Sequence, residues 1–201
     1  MKFDIKKFFD SVDHQILLDI LKQKISCPET ISLLAEIVGS FSKPQVLGGG
    51  SLLETDRPRG LPIGNLTSQL FANVYMNAFD HYIKEELRTK YYLRYTDDTL
   101  IVHNDPKYLS LLVPFIQHWL WQNRRLSLHP NKVSIRKLLQ GIDWLGYVVL
   151  PYHRVLRTKT KRRMLKRMNE ENLPSYLGEL SHADTHRLQE DILNDLWFET
   201  K

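Results

Sequence analysis

The chain has 201 residues, of which 42% are hydrophobic and 25% charged, and a net charge of +5. That suits one sizeable globular domain, or one and a half small ones, and a pI of about 9.2 permits a polyanionic partner without requiring one. Cys27 is the only cysteine, which excludes a disulfide framework and a cysteine-based zinc site. With no apolar signal core and no bilayer-length run, a cytoplasmic protein without a membrane partner is expected.

Phe3 and Ile5, followed by Phe8 and Phe9, predict the end of a buried strand, reached within three residues of Met1. So abrupt a start raises the expectation of a missing upstream segment. Ile16, Leu17, Ile20, Leu21 and Ile25 recur at helical spacing behind Asp13, a suitable N-cap. Pro28 opens a second helix with Ile31, Leu34, Ile37 and Val38 inward. The stretch 40–62 reads as irregular, with a glycine hinge at Gly48-Gly49-Gly50. A long helix is expected from Asn65 to Leu87. Two β-prone runs, Tyr91–Tyr95 and Leu100–His103, then flank a polar tip, Thr96-Asp97-Asp98-Thr99, the pattern of a hairpin. A helix from Pro106 to about Gln122 follows, with strand candidates at Leu126–Leu128, Val133–Arg136 and Trp144–Leu150. From Thr158 the chain reads as basic and helical, broken at Pro174. There are no repeats or low-complexity tracts. The sum is an α+β domain with an antiparallel sheet and packed helices, followed by a helical appendage.

Three carboxylates stand out. Asp4 on a core strand, facing Asp97 and Asp98 at an adjacent hairpin tip, suits two Mg²⁺ ions about 3.5–4 Å apart, the device that joins a nucleotide to a 3′-hydroxyl. Magnesium takes a few carboxylate oxygens and fills its other positions with water and phosphate. The carbonyl of Ile5 can complete the set, and Mn²⁺ can substitute. Each feature also has an ordinary structural reading: Asp-Asp is common turn chemistry, and Asp4 alone reads as a helix cap or a surface residue. Asp10 and Asp13 read as structural, near a helix start.

Four strings in order give the combination its meaning. Phe3-Asp4-Ile5-Lys6-Lys7-Phe8-Phe9-Asp10-Ser11-Val12-Asp13-His14 resembles the first palm motif of group II intron-like bacterial reverse transcriptases. Tyr95-Thr96-Asp97-Asp98 resembles the superfamily's tyrosine-x-Asp-Asp signature, and Gly60 to Gln69 lies where these enzymes carry a nucleotide-pocket motif. Trp144-Leu145-Gly146-Tyr147 resembles the primer-grip hairpin. The resemblance implies a polymerase palm over residues 1–155 and a partial, basic helical thumb over 156–201. The fingers subdomain that precedes the first Asp in the family is expected to be absent.

The resemblance also implies roles. Asp4, Asp97 and Asp98 would be the catalytic and metal-binding triad, with the Ile5 carbonyl a further ligand. Phe9 would be the steric gate against a ribose 2′-hydroxyl; strand alternation makes only one of Phe8 and Phe9 core. Ile63, Gly64, Gln69 and Lys132 would meet the incoming deoxynucleoside triphosphate, Lys132 as proton donor to pyrophosphate. Trp144 and Gly146 would meet the primer, and Arg157, Lys159, Lys161, Arg162 and Arg163 the phosphates of an RNA template–DNA primer duplex. Arg59 and Arg94 are further phosphate candidates. Most reverse transcriptases have glutamine where Ile63 stands and proline where Gln69 stands. The variant here is similar to the enzymes of diversity-generating retroelements, which copy template RNA with errors at adenine and work with a small basic accessory protein in the bacterial cytoplasm.

Overall fold

A computed structural model describes residues 1–41, 57–62, 64–169, 171–186, 188–190 and 192. The chain divides into two compact units, Met1–Ile135 and Arg136–Lys201.

The first unit is built on a three-stranded antiparallel sheet, β1 (Lys2–Phe3), β2 (Tyr91–Tyr95) and β3 (Asp98–Val102), in the order β1-β3-β2. Side chains on a strand alternate between faces, and here the alternation is sharp. Phe3, Ile5, Thr99 and Ile101 are each at most 1% exposed, whereas Tyr91, Leu93 and Tyr95 look outward. The inner face rests on aromatic packing. Phe79, from helix α4 (Leu66–His81), meets Phe3 and Tyr92 edge-on at 6.5 Å and Trp119 of α5 (Pro106–Arg124) at 5.4 Å.

The opening strand is shorter than expected. Beyond Phe3 only Ile5 continues it, as an isolated bridge to Leu128. Lys7, at a left-handed φ of 46°, then turns the chain into a one-turn helix, α1 (Phe8–Ser11). Phe8 is therefore buried and Phe9 half-buried, as neighbours on a helical turn and not as opposite faces of a strand. The expected strands at 126–128 and 133–136 reduce to bridges, Ile5 to Leu128 and Lys2 to Ser134, because so short a β1 offers them no longer partner.

Asp13 caps α2 (His14–Lys22), its carboxylate accepting the Ile16 amide at 3.1 Å, and Pro28 opens α3 (Pro28–Gly39). The expected long helix is α4 continued by a π-helical turn, Tyr82–Glu86. Most of the expected irregular stretch, including the glycine hinge, lies outside the described residues.

In the second unit a sheet of β4 (Ile142–Trp144), β5 (Tyr147–Val149) and β6 (Arg154–Leu156) replaces the single strand expected at 144–150. The β4–β5 turn is two residues, Leu145 and Gly146, both with positive φ (49° and 90°). Such a turn matches the twist of the strands it joins. Helix α6 (Thr158–Arg167) buries Met164 against Leu156, Leu180 of α7 (Leu173–Ser181) and Ile192. That small core draws β4–β6 into the second unit, so the compact division falls earlier in the chain than the functional boundary drawn at 155/156. Pro174 lies in the first turn of α7, where its missing N–H costs nothing.

One buried contact ties three elements of the first unit together. The Tyr75 hydroxyl donates to the Arg124 carbonyl at 2.7 Å and accepts the Asp13 amide at 3.3 Å, and burial pushes its pKa well above the usual tyrosine range. Tyr75→Phe would leave a buried amide and a part-buried carbonyl short of a partner, at a cost of about 1–3 kcal/mol. Denaturant unfolding should record that loss at unchanged m-value; an unchanged midpoint would contradict the assignment.

Candidate active site

The expected hairpin tip is tighter in the structure. Asp98 already belongs to β3, paired with Tyr95, so only Thr96 and Asp97 form the turn, with Thr96 at a φ of 53°. Arg94 fixes the strand beneath it. Its guanidinium donates through Nε and Nη2 to the two Asp80 oxygens, each at 2.7 Å, and through Nη1 to the Thr96 carbonyl at 2.9 Å. Arg94, 7% exposed, is thus spent as a buttress for the turn and is not free to meet a phosphate.

Along β1 and the extended residues after it, Phe3 and Ile5 point into the core, which leaves Lys2 and Asp4 on the other face. The register pairs Lys2 with Leu100 and Phe3 with Thr99, so Asp98 is the next residue along β3 and lies beside Asp4. The three expected carboxylates are thereby brought together from the residue after β1, the turn and β3.

Their surroundings differ. Asp97 accepts a hydrogen bond from Thr96 Oγ1 at 2.9 Å. Its carboxyl is held above the usual carboxylate range, chiefly by desolvation; the Thr96 bond works the other way, and the charges of Asp4 and Asp98 add to the rise. Asp4 Oδ2 accepts from Lys132 Nζ at 2.5 Å. Lys132 arrives on a turn closed by its own amide to the His129 carbonyl at 3.1 Å, while the His129 amide is tied to the Asp4 carbonyl at 2.8 Å. The hydrogen bond to Asp4 raises the Lys132 pKa, and the charges of Asp4, Asp97 and Asp98 add to it. Asp98 Oδ1 pairs with Lys2 Nζ at 3.2 Å. Sequence reasoning passed over Lys2, although its place two residues before Asp4 on a strand puts it on the same face.

The donors suit a hard divalent cation, being carboxylate oxygens whose mutual repulsion such a cation would relieve. Among the described residues no three His, Cys, Asp or Glu side chains already surround one point. A magnesium site needs only one or two carboxylates, with water and phosphate supplying the rest. The bridge from Ile5 to Leu128 uses the Lys6 amide and the Asp4 carbonyl and leaves the Ile5 carbonyl aside.

Beside this cluster, the segment 9–14 clamps the start of the Gly60–Gln69 string. The Leu61 amide donates to the Phe9 carbonyl at 2.6 Å, the Gly60 amide to the Val12 carbonyl at 2.8 Å, and His14 Nε2 lies 2.7 Å from the Gly60 carbonyl. Gly64 and Gln69 are exposed at the entry and first turns of α4, and Ile63 lies outside the described residues. In the second unit, the Arg157 guanidinium is paired with Asp143, whereas Lys159, Lys161, Arg162 and Arg163 are exposed on α6. Trp144 ends β4 just before the β4–β5 turn and Gly146 lies in that turn, its carbonyl accepting the Arg157 amide at 2.9 Å. Among the described residues no helix is long and apolar enough to cross a membrane.

Comparison with known proteins bears on the family and the fold. The family profile for reverse transcriptase (RNA-dependent DNA polymerase) matches residues 1–149. The putative COX1/OXI3 intron 2 protein of Saccharomyces cerevisiae is 20% identical, over 74% of this chain and 23% of its own length. Protein YkfC of Escherichia coli is 23% identical, over 79% of this chain and 47% of its own. The chain therefore spans less than half of either relative. Among solved structures, telomerase from Candida albicans, in complex with a fragment of telomeric RNA, matches with a TM-score of 0.51 at 14% identity, over 78% of this chain and 31% of that one. At that identity the likeness speaks for the fold alone. The profile spans the whole carboxylate-bearing unit and the β4–β5 hairpin, and the chain belongs to the reverse transcriptase (RNA-dependent DNA polymerase) family.

Proposed function

We propose that this chain carries the palm, over residues 1–155, and the start of the thumb, over 156–201, of an RNA-directed DNA polymerase acting by two-metal nucleotidyl transfer. The observation that carries the proposal is the meeting of Asp4, just past β1, with Asp97 in the β2–β3 turn and Asp98 at the start of β3, within a family-matched segment.

Two Mg²⁺ ions, or Mn²⁺ in their place, would activate the primer 3′-hydroxyl and neutralise the leaving pyrophosphate. Asp4 and Asp97, with Asp98 and the Ile5 carbonyl beside them, would hold the cations. Lys132, drawn to this cluster by Asp4, would carry the proton that the pyrophosphate needs. Phe9, its carbonyl tied to Leu61, would present a ring edge to C2′ of the incoming deoxynucleotide, with Ile63, Gly64 and Gln69 around the same triphosphate. Trp144 and Gly146 would support the primer strand. Lys159, Lys161, Arg162 and Arg163, with Arg157 at the start of α6, would meet duplex phosphates without reading sequence.

Within the family, Ile63 and Gln69 favour an error-prone enzyme of a diversity-generating retroelement, acting in the bacterial cytoplasm with a small basic accessory protein. A second reading, an intron-type reverse transcriptase, is favoured by the likeness to the yeast intron protein.

Primer extension on an annealed RNA template with Mg²⁺ and all four deoxynucleotides tests the activity. The expected result is extension that falls at least about a hundredfold in Asp97→Ala, since even groups supporting a metal ligand cost 10–100-fold. Extension that survives Asp97→Ala would reject the assignment. Sequencing the products tests the subtype. Ile63 offers no hydrogen bond to sugar or template, and one such bond is worth about 0.5–1.5 kcal/mol, a few-fold to roughly tenfold in selectivity. Ile63→Gln should therefore lower misincorporation by that factor, and an unchanged error spectrum would count against the diversity-generating reading.

A further inference from the structure

We propose that Lys2 is a positioning residue that reserves Asp98, so that a divalent cation engages Asp4 and Asp97 first while Asp98 stays neutralised from within the chain. The inference rests on the reading of the three aspartates as the metal site.

The backbone delivers Lys2 to this task. Its amide donates to the Ser134 carbonyl and its carbonyl accepts the Ser134 amide, both at 2.8 Å, while its other neighbour is Leu100 on β3. With Phe3 and Ile5 committed to the core, the Lys2 stem runs along the outer face of the sheet, and the ammonium reaches diagonally to Asp98 Oδ1 at 3.2 Å. Lys2 is 21% exposed against 55% for Lys132, while Asp98 at 31% is more exposed than Asp4 at 16%, so in this pair water screens the lysine less, not the carboxylate.

The carboxylates are consequently graded. Asp97 is met by a neutral hydroxyl, Asp4 by a lysine on an exposed turn, and Asp98 by a half-buried lysine on a fixed strand. Two ammonium groups among three carboxylates leave one net negative charge, and a cation seeking Asp98 must displace the less exposed of the two. Of the two lysine-paired carboxylates, Asp98 thus carries the lysine that is the more buried and the more firmly fixed by its backbone. Loss of the Lys2 charge should release Asp98 as a ligand and tighten divalent binding. A residue that merely packs the strand would have no such effect, because methionine keeps the stem.

The test is Mn²⁺ binding to the full chain without nucleic acid, followed by the electron paramagnetic resonance of free Mn²⁺. Circular dichroism would check the fold of each variant, with Lys2→Gln replacing Lys2→Met should the latter not fold. Lys2→Met is expected to bind Mn²⁺ about three- to tenfold more tightly than wild type, and Lys2→Arg to match wild type, on the scale of a partly buried ion pair. Asp98→Asn is expected to erase the gain in Lys2→Met, the coupling expected of two side chains in contact. Lys7→Met, which removes an exposed charge from the same segment, should leave affinity near wild type. Wild-type affinity in Lys2→Met, or a gain that survives Asp98→Asn, would overturn the inference while leaving the metal site intact. No Mn²⁺ binding by any protein, wild type included, would overturn the metal-site reading and the inference with it.

Discussion

The alternation of side chains across the β1-β3-β2 sheet is the constraint on which the rest of the first unit depends. Phe3, Ile5, Thr99 and Ile101 are buried on one face, where Phe79 and Trp119 pack. A one-residue slip of β1 against β3 would expose that set and bury Lys2 and Asp4 in its place. The hydrophobic face thus fixes the register, and the register brings Asp4 beside Asp98. Few of the polar contacts could achieve this alone, since exposed ion pairs contribute little. Core packing sets the geometry of the charged cluster, and the cluster's own interactions only refine it.

That refinement has an energetic cost which the fold carries. Gathering Asp4, Asp97 and Asp98 in a half-dry place raises the Asp97 carboxyl through desolvation first and mutual repulsion after. The internal ammonium groups of Lys132 and Lys2 offset part of that repulsion. Destabilised charge held rigidly is what a cation-dependent site requires, because an arriving divalent ion then relieves strain already present. The rigidity comes from two sets of backbone bonds, His129 to Asp4 and Ser134 to Lys2, and from the Arg94 side chain bridging Asp80 and the Thr96 carbonyl.

Much of this was legible in the amino-acid sequence, for identifiable reasons. Helices α2, α3 and α5 carry strong periodicity and clear starts at Asp13, Pro28 and Pro106, and all three formed near their expected limits. The Tyr91–Asp98 hairpin was legible because β-prone residues flank a short polar turn, though its tip proved two residues long because Asp98 pairs with Tyr95. The helical turn at Phe8 and Phe9 was not, since the left-handed Lys7 that creates it has no signature in a non-glycine residue. Residues 126–136 carry strand-like composition but find only a two-residue strand to pair with, a tertiary fact outside any local pattern. Lys2 escaped notice because its meaning lies in a diagonal partner on β3, far away in sequence.

The central claim is that Asp4 and Asp97 converge as the cation-binding face of a polymerase palm. The most direct measurement is anomalous diffraction from Mn²⁺ in crystals of this chain grown with a primer–template and a non-hydrolysable deoxynucleotide. The account predicts an anomalous peak bridging the Asp4 and Asp97 carboxylates, within the 2.0–2.3 Å or so typical of metal–oxygen bonds. Manganese located only elsewhere, with those two carboxylates still bound to protein donors alone, would contradict it.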